Sequence, residues 1–209
     1  MAAKKQQKTP KVMKQKVKSK KVVKKSFFEV SAPLTATKIH LYAPSMESLE
    51  GKTVKLDLTK SLRGKNLELK LRIKKDGDNL IGVAESAKLI SSYVRRVVRK
   101  GTDYSEDSFE APCRDLQVRI KPLMVTRRRV SRAVLKALRE ATKKHLVPHL
   151  KTRDAEEIFS EIVSNKIQKQ LALKLKKIYP LALCEIRMFE IIGPLKKEDK
   201  EDSKEEKEE

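Results

Sequence analysis

Apolar and polar residues alternate over several stretches of this chain, and this period of two predicts strands. The clearest stretch is residues 116–121, where Leu116, Val118 and Ile120 alternate with polar or basic residues, so one strand face is buried and the other is wet. The same alternation predicts strands over residues 26–32, 53–59, 66–74, 79–84 and 181–192. Gly64 and Gly77 supply turns that favour an antiparallel meander of the second to fourth of these.

Helical spacing replaces this alternation after Val130, which predicts an amphipathic helix behind the strand at 116–121. Its apolar stripe contains Val130, Ala133, Val134, Ala137, Leu138 and Ala141. Its basic face contains Arg128, Arg132, Lys136, Arg139 and Lys143. Pro148 is expected to end this helix, since proline removes a helical hydrogen bond.

Three further helices are predicted over residues 86–99, 155–163 and 166–179, of which the first is stopped by Gly101 and the last by Pro180. Residues 102–112 alternate weakly and should form a hairpin with the strand at 116–121. In the strand at 181–192 the phase slips at Met188-Phe189, which indicates a bulge or burial on both faces. Together these elements predict an α+β fold, an antiparallel sheet with flanking helices.

The charge of the chain is large and unevenly placed. The formal net charge is +22, with +11 in residues 1–25 and −3 in residues 196–209, so the body at 26–195 is itself strongly basic. A polyanionic partner is therefore the leading expectation. Residues 1–25 should form a disordered basic arm that orders against RNA, or else a solubilising or nuclear-targeting tail; residues 196–209 should form a flexible charged tail.

The strongest candidate for phosphate binding lies where the strand meets the helix. Arg127, Arg128 and Arg129 oppose the positive end of the helix dipole, and a bound anion would relieve that conflict. Arg132 and Lys136 continue the cationic surface. A solvated charge run is the alternative reading. The remaining candidates are a second patch, Arg95, Arg96 and Arg99, open to the same alternative, and the arm residues Lys20, Lys21, Lys24 and Lys25.

No motif in the sequence predicts an enzyme, a cofactor or a metal site. His145 and His149 have the spacing of two metal ligands on a helix, but Pro148 lies between them and no further ligand cluster accompanies them. Cys113 and Cys184 are far apart, which fits a reducing compartment. No apolar run is long enough to span a membrane. Aromatic residues are few, so a large platform for stacking single-stranded bases is not evident.

Several segments of the chain resemble the S3Ae (S1e) family of small-subunit ribosomal proteins of archaea and eukaryotes, in its archaeal form. They are SFFEVSAP, VKLDLTKSL, SYVRRVVRKGT, LQVRIKPLMVTRRR and KKIYPLALCEIRMFEII, and the similarity runs from about Phe27 to Leu195. The most specific part is IYPL, at residues 178–181, followed by a basic strand. At one hairpin turn, where the family often has Asp-Gly, this chain has Cys113-Arg114-Asp115.

The resemblance implies a fold and a partner. The sheet should be partly barrel-like, and the protein should lie on the cytoplasmic small subunit's platform. There it would contact the 3′ region of the rRNA, neighbouring ribosomal proteins, and mRNA near its exit. The role would be architectural, with no catalytic residue: basic faces would neutralise rRNA phosphates. The alternatives are a free RNA- or DNA-binding regulator or chaperone, and an enzyme acting on nucleic acid.

Overall fold

A computed structural model describes residues 24–62 and 64–194. Most of the predicted arm and the whole of the predicted tail lie outside these residues. Within them, the predicted α+β class is confirmed: nine strands form one mostly antiparallel sheet, and four α-helices accompany it. The strands are β1 (Ser26–Ala32), β2 (Thr37–Ala43), β3 (Thr53–Asp57), β4 (Leu67–Asp76), β5 (Asn79–Leu89), β6 (Tyr104–Glu106), β7 (Phe109–Pro112), β8 (Leu116–Thr126) and β9 (Leu181–Pro194). The helices are α1 (Ser91–Val97), α2 (Arg132–Lys151), α3 (Ala155–Val163) and α4 (Lys166–Leu175).

The sheet is open and branches at β5. Its main path runs β2-β1-β5-β9-β8-β6, and β7 also pairs with β8. β4 pairs along β5 and carries β3 on its other edge, as the predicted meander requires. On the opposite edge, β5 pairs with β1 near Leu80 and with β9 near Ala87. The last strand therefore lies in the middle of the sheet.

The main core lies between the sheet and the helices α2 to α4. At its centre Phe159 of α3 meets Phe189 of β9 edge-to-face, with ring centres 4.8 Å apart, and both side chains are completely buried. Full burial of such a ring contributes about 1.5–3 kcal/mol. A smaller cluster around Val30 and Ile73 fixes the β1–β2 hairpin to the ends of β4 and β5.

The predicted helix at 86–99 is wrong in its first half. β5 continues to Leu89, and only Ser91–Val97 is helical. Glu85 explains the error, because Leu71 pairs with Ala84 and the preceding Lys70 pairs with Ser86, which leaves Glu85 as an extra residue. A bulge of this kind shifts the alternation by one position and conceals the strand from a pattern search.

Two prolines do not interrupt their elements. Pro148 lies inside α2, contrary to the expected break, since Leu146 and Leu150 on either side are buried and their burial outweighs the lost hydrogen bond. β8 continues through Pro122 to Thr126, although proline has no N–H to donate to a neighbouring strand. The register with β9 shifts at this point and leaves Arg187 of β9 without a partner, and proline is tolerated in a strand at such a bulge. A bulge predicted at Met188-Phe189 thus lies one residue earlier.

Strand β2 was not predicted. It forms an antiparallel hairpin with β1, in which Phe27 pairs with Tyr42 and Val30 with Ile39. The apolar inward residues Ile39 and Leu41 alternate with outward residues that include Tyr42, and this aromatic residue weakens the contrast between the two faces. In α4, the helix ends at Leu175, four residues before the predicted end, and a hydrogen-bonded turn continues to Tyr179.

Candidate nucleic-acid interface

Arg127, Arg128 and Arg129 form the short connection between β8 and α2, here called the arginine junction. All three side chains are exposed. β8 ends at the buried Thr126 and the helix begins at Arg132, so rigid elements lie on both sides of the junction. The backbone that carries the three cations is therefore held at one place on the surface.

Asp103 and Thr126 hold the backbone of the arginine junction in place. The N–H of Thr126 donates to the carbonyl of Asp103 at 2.8 Å, and the N–H of Asp103 donates to Oγ1 of Thr126 at 3.1 Å. The Thr126 hydroxyl lies 2.8 Å from the Asp103 carbonyl and 2.7 Å from that of Arg128, and can donate to either. Oδ2 of Asp103 accepts from the N–H of Val130 at 2.9 Å. Both ends of the junction are thereby tied to one aspartate.

The start of α2 adds to the positive potential at the junction. Ser131 caps the helix without a side-chain hydrogen bond, and the first turn contains no acidic residue. In the part of the chain that the structure describes, no carboxylate lies within 4.0 Å of the guanidinium groups of Arg127–Arg129 or Arg132. Lys136 is exposed and 3.8 Å from Glu140. Unpaired cations beside a helix N-terminus form a surface suited to phosphate.

In the second predicted patch, Arg96 is engaged within the fold, whereas Arg95 and Arg99 remain exposed. Arg96 donates to the carbonyl of Gly64 at 3.3 Å and to Oδ1 of Asn66 at 3.1 Å, and it lies over the ring of Tyr93. This arginine therefore connects α1 to the turn before β4. Arg95 and Arg99 are exposed, and among the described residues neither has a carboxylate partner.

The end of the second patch adjoins the arginine junction. Arg99 begins a tight turn, in which its carbonyl accepts from the N–H and hydroxyl of Thr102. The next residue is Asp103, whose hydrogen bonds hold the junction. Arg99 and Arg127–Arg129 are therefore brought to the same region of the surface, whereas the side chain of Arg96 is turned toward the β3–β4 turn.

The arm residues are only partly described. Lys24 and Lys25 are exposed just before β1, and Nζ of Lys25 lies 5.7 Å from the ring centre of Tyr42. Lys20 and Lys21 lie outside the described residues. Within the described residues, neither lysine forms a hydrogen bond with the arginine junction.

The histidine and cysteine side chains considered as reactive groups are engaged in packing or ion pairs within the fold. Nε2 of His149 lies 2.8 Å from Oε2 of the buried Glu161, which also pairs with Arg153. Burial raises the pKa of the thiols of Cys113 and Cys184 to about 12. The described residues contain no cluster of three or more potential metal ligands. Among the described helices, none has the length and apolar character to cross a membrane.

Comparison with known proteins gives the family. The model of the Ribosomal S3Ae family matches residues 13–194, which include every strand and helix described above. The chain belongs to the Ribosomal S3Ae family. A relative in Nanoarchaeum equitans, named small ribosomal subunit protein eS1, is 29% identical over 176 residues, which cover 79% of this chain and 88% of the relative. The protein of the same name in Methanothermobacter thermautotrophicus is 28% identical over 136 residues, covering 62% of this chain and 68% of the relative.

The structure of this S3Ae-family chain adds two residues that sequence reasoning missed. Asp103 and Thr126 position the arginine junction without carrying positive charge themselves. Their hydrogen bonds join positions 23 residues apart. No local pattern announces such a pair, although the pairing of β6 with β8 brings them together.

Proposed function

We propose that this S3Ae-family protein is a structural constituent of the small ribosomal subunit that binds rRNA. One observation carries the proposal: the arginine junction holds three exposed guanidinium groups at the start of a 20-residue helix, with no carboxylate partner among the described residues, and Asp103 and Thr126 fix its backbone. The name shared by the relatives supports the assignment to the small subunit.

The mechanism is the neutralisation of phosphates by cations that are already in place. Guanidinium groups bind phosphate oxygens through two parallel hydrogen bonds, and each contact releases counterions from the RNA. Structured RNA is recognised mainly through its shape, phosphates and 2′-hydroxyl groups, so the position of the cations matters more than contacts to base edges. Arg132 and Lys136 on α2, with Arg99 at the turn before Asp103, extend this surface, and Arg95 on α1 is a further candidate for phosphate contact. No covalent step is involved.

We propose a location within the subunit on the basis of the family resemblance. We place the protein on the platform, in contact with the 3′ region of the rRNA, with neighbouring ribosomal proteins, and with mRNA near its exit. The subunit, and with it the protein, would lie in the cytoplasm. The basic residues of the arm, including Lys20, Lys21, Lys24 and Lys25, would reach further RNA.

Sedimentation of tagged full-length protein from cell extract tests the proposal. A subunit constituent stays with small subunits through a gradient at moderate salt, whereas a free regulator or chaperone remains near the top. Crosslinking within the purified subunits then maps the RNA positions that meet the arginine junction. Recovery of the protein mainly in the free fraction would favour the regulator. Turnover of nucleic acid that depends on one carboxylate or on His145 would favour an enzyme.

A further inference from the structure

The outer face of the β1–β2 hairpin carries two exposed aromatic rings side by side. Phe27 and Tyr42 are paired across the strands, their ring centres are 5.0 Å apart, and their planes are inclined by 44°. The two residues remain 73% and 59% exposed. The opposite face of the hairpin is covered by the small core around Val30, so the fold does not need these two rings to fill its interior.

Positive charge lies beside this aromatic pair, on the segment that precedes β1. The ammonium group of Lys25 lies over the Tyr42 ring, and Lys24 precedes it, both on the segment that leads into β1. Residues 1–23, which join the hairpin at this end, contain nine further lysines and no acidic residue. The one carboxylate on this face of the hairpin, Glu29, is 3.2 Å from the ammonium group of Lys38 and is thereby neutralised.

We propose that Phe27 and Tyr42 stack an unpaired nucleotide of RNA, with Lys24 and Lys25 on its phosphates. This inference rests on the proposed function and specifies a second, chemically different contact with the same partner. Aromatic side chains on an open sheet face stack bases in a common class of RNA-binding domain. A base that stacks on Tyr42 displaces the ammonium group of Lys25, which then meets the adjoining phosphate.

RNA fits this patch better than a protein neighbour does. A stable protein interface buries about 800 Å² on each partner around an apolar centre from which charge is depleted. Here the apolar area is limited to two rings, and lysines border them directly. A nucleotide combines a flat π surface with a phosphate on the same scale, and stacking tolerates any base because each has a π face.

The chain contains no tryptophan, so Tyr42→Trp introduces a single fluorescent reporter at the aromatic pair. The full-length variant is titrated with a short single-stranded RNA and with an abasic RNA of the same length, which keeps the phosphates and lacks the bases. We expect the single-stranded RNA to quench the tryptophan emission and the abasic RNA to leave it unchanged. Equal responses to the two probes would overturn the proposal.

Leucine substitutions remove the rings while keeping an apolar side chain. Phe27→Leu and Tyr42→Leu should each lower the affinity for the single-stranded RNA by about fivefold to a hundredfold, and leave the affinity for the abasic RNA unchanged. Tyr179→Leu is the matched control, since Tyr179 lies in the turn after α4, on neither the hairpin nor the arginine junction, and undergoes the same chemical change. Thermal melts show that each variant is folded. Unchanged affinity in both hairpin variants would refute the stacking site.

The result also separates this inference from the proposed function. If Arg127–Arg129→Ala weakens binding to both RNAs while the hairpin variants bind normally, the ribosomal role stands and the stacking site falls. If none of the variants binds differently, the stacking site falls and the arginine junction is excluded from the interface, whereas the ribosomal role is still decided by sedimentation. Crosslinking of residue 42 to a protein rather than to RNA in purified small subunits would overturn the stacking site alone.

Discussion

Thr126 and Asp103 are joined by hydrogen bonds in both directions: the N–H of each donates to an oxygen of the other, at 2.8 and 3.1 Å. Thr126 is fully buried at the end of β8, whereas the arginine junction that follows it is exposed. Because both residues belong to the paired strands or adjoin them, their hydrogen bonds hold the backbone of the three arginines against the sheet.

Thr126→Val keeps the shape of the side chain but leaves the N–H of Asp103 without its acceptor. We expect the free energy of unfolding to fall by about 1–3 kcal/mol, the usual cost of a buried donor without a partner. Urea denaturation measures the change. Thr53→Val is the control, because Thr53 is an exposed strand residue and valine suits a strand. An equal effect at the two positions would mean that the hydroxyl of Thr126 is dispensable.

Changing Arg127, Arg128 and Arg129 together to Ala should weaken rRNA binding and flatten its salt dependence. A plot of the logarithm of the binding constant against the logarithm of the salt concentration has a negative slope, and each lost phosphate contact makes this slope shallower by about 0.7–0.9. Filter binding across a salt series measures the slope. The matched control changes Lys52, Lys74 and Lys75 together to Ala. These lysines are exposed near the outer end of β4, and replacing them removes the same net charge. An unchanged slope in the arginine variant would exclude the junction from the interface.

Lys65 and Glu185 form an ion pair that is almost excluded from water. The ammonium group is 2.5 Å from the carboxylate, and the side chains are 8% and 11% exposed. Lys65→Met leaves the carboxylate buried without its cation and should cost about 3–5 kcal/mol. Adding Glu185→Leu should recover much of this loss, since an apolar pair needs no compensation. Additive losses in the double variant, measured by urea denaturation, would contradict the coupling.

Ala36 in the β1–β2 turn has a φ of 51°, which is unfavourable for any residue with a Cβ atom. Ala36→Gly removes about 1–2 kcal/mol of steric cost and adds a smaller entropic one, so we expect a net gain of about 0.5–1 kcal/mol. Thermal unfolding measures the gain. Ala133→Gly in the first turn of α2 should instead lower stability. A loss at both positions would show that the turn tolerates Ala36 without strain.

The thiols of Cys113 and Cys184 should be inert in the folded protein. Burial raises both pKa values from 9.0 to about 12, so at pH 8 almost no thiolate is present. A chromogenic disulfide reagent should react only as fast as the chain unfolds, and at once in concentrated guanidinium chloride. Since the unfolded thiols lose protons more readily, stability should fall as the pH rises from about 9 toward 12. Rapid labelling of the folded protein would contradict this account.

Local periodicity was sufficient for most strands and for α3, because each of these elements has one buried and one exposed face. Local periodicity failed where a strand contains a bulge or where a helix continues through a proline. The bulge at Glu85 shifts the alternation and concealed the second half of β5. Pro148 predicted a helix end, but α2 continues past it because Leu150 is buried in the core. Both outcomes depend on packing against residues far away in the sequence, which a local window does not contain.

The candidate site divides in the same way. The arginine junction was visible as a run of like charge at a change of period, and the structure places its three arginines on the surface. The structure also showed that Arg96 is engaged by Gly64 and Asn66, and that Asp103 supports the junction. The pairing of Phe27 with Tyr42 was invisible, since it needs strand β2. Hydrogen bonds between separate segments have no signature in either segment alone.

The central place of β9 has a consequence for biosynthesis. β9 is the last strand in chain order and is hydrogen-bonded to both β5 and β8, so a growing chain that has not reached residue 181 holds two unjoined pieces of sheet with bare edges. A product that stops short of that strand should therefore aggregate or be degraded before it meets RNA. In effect, synthesis of β9 is the step that joins the two halves of the sheet into one stable body.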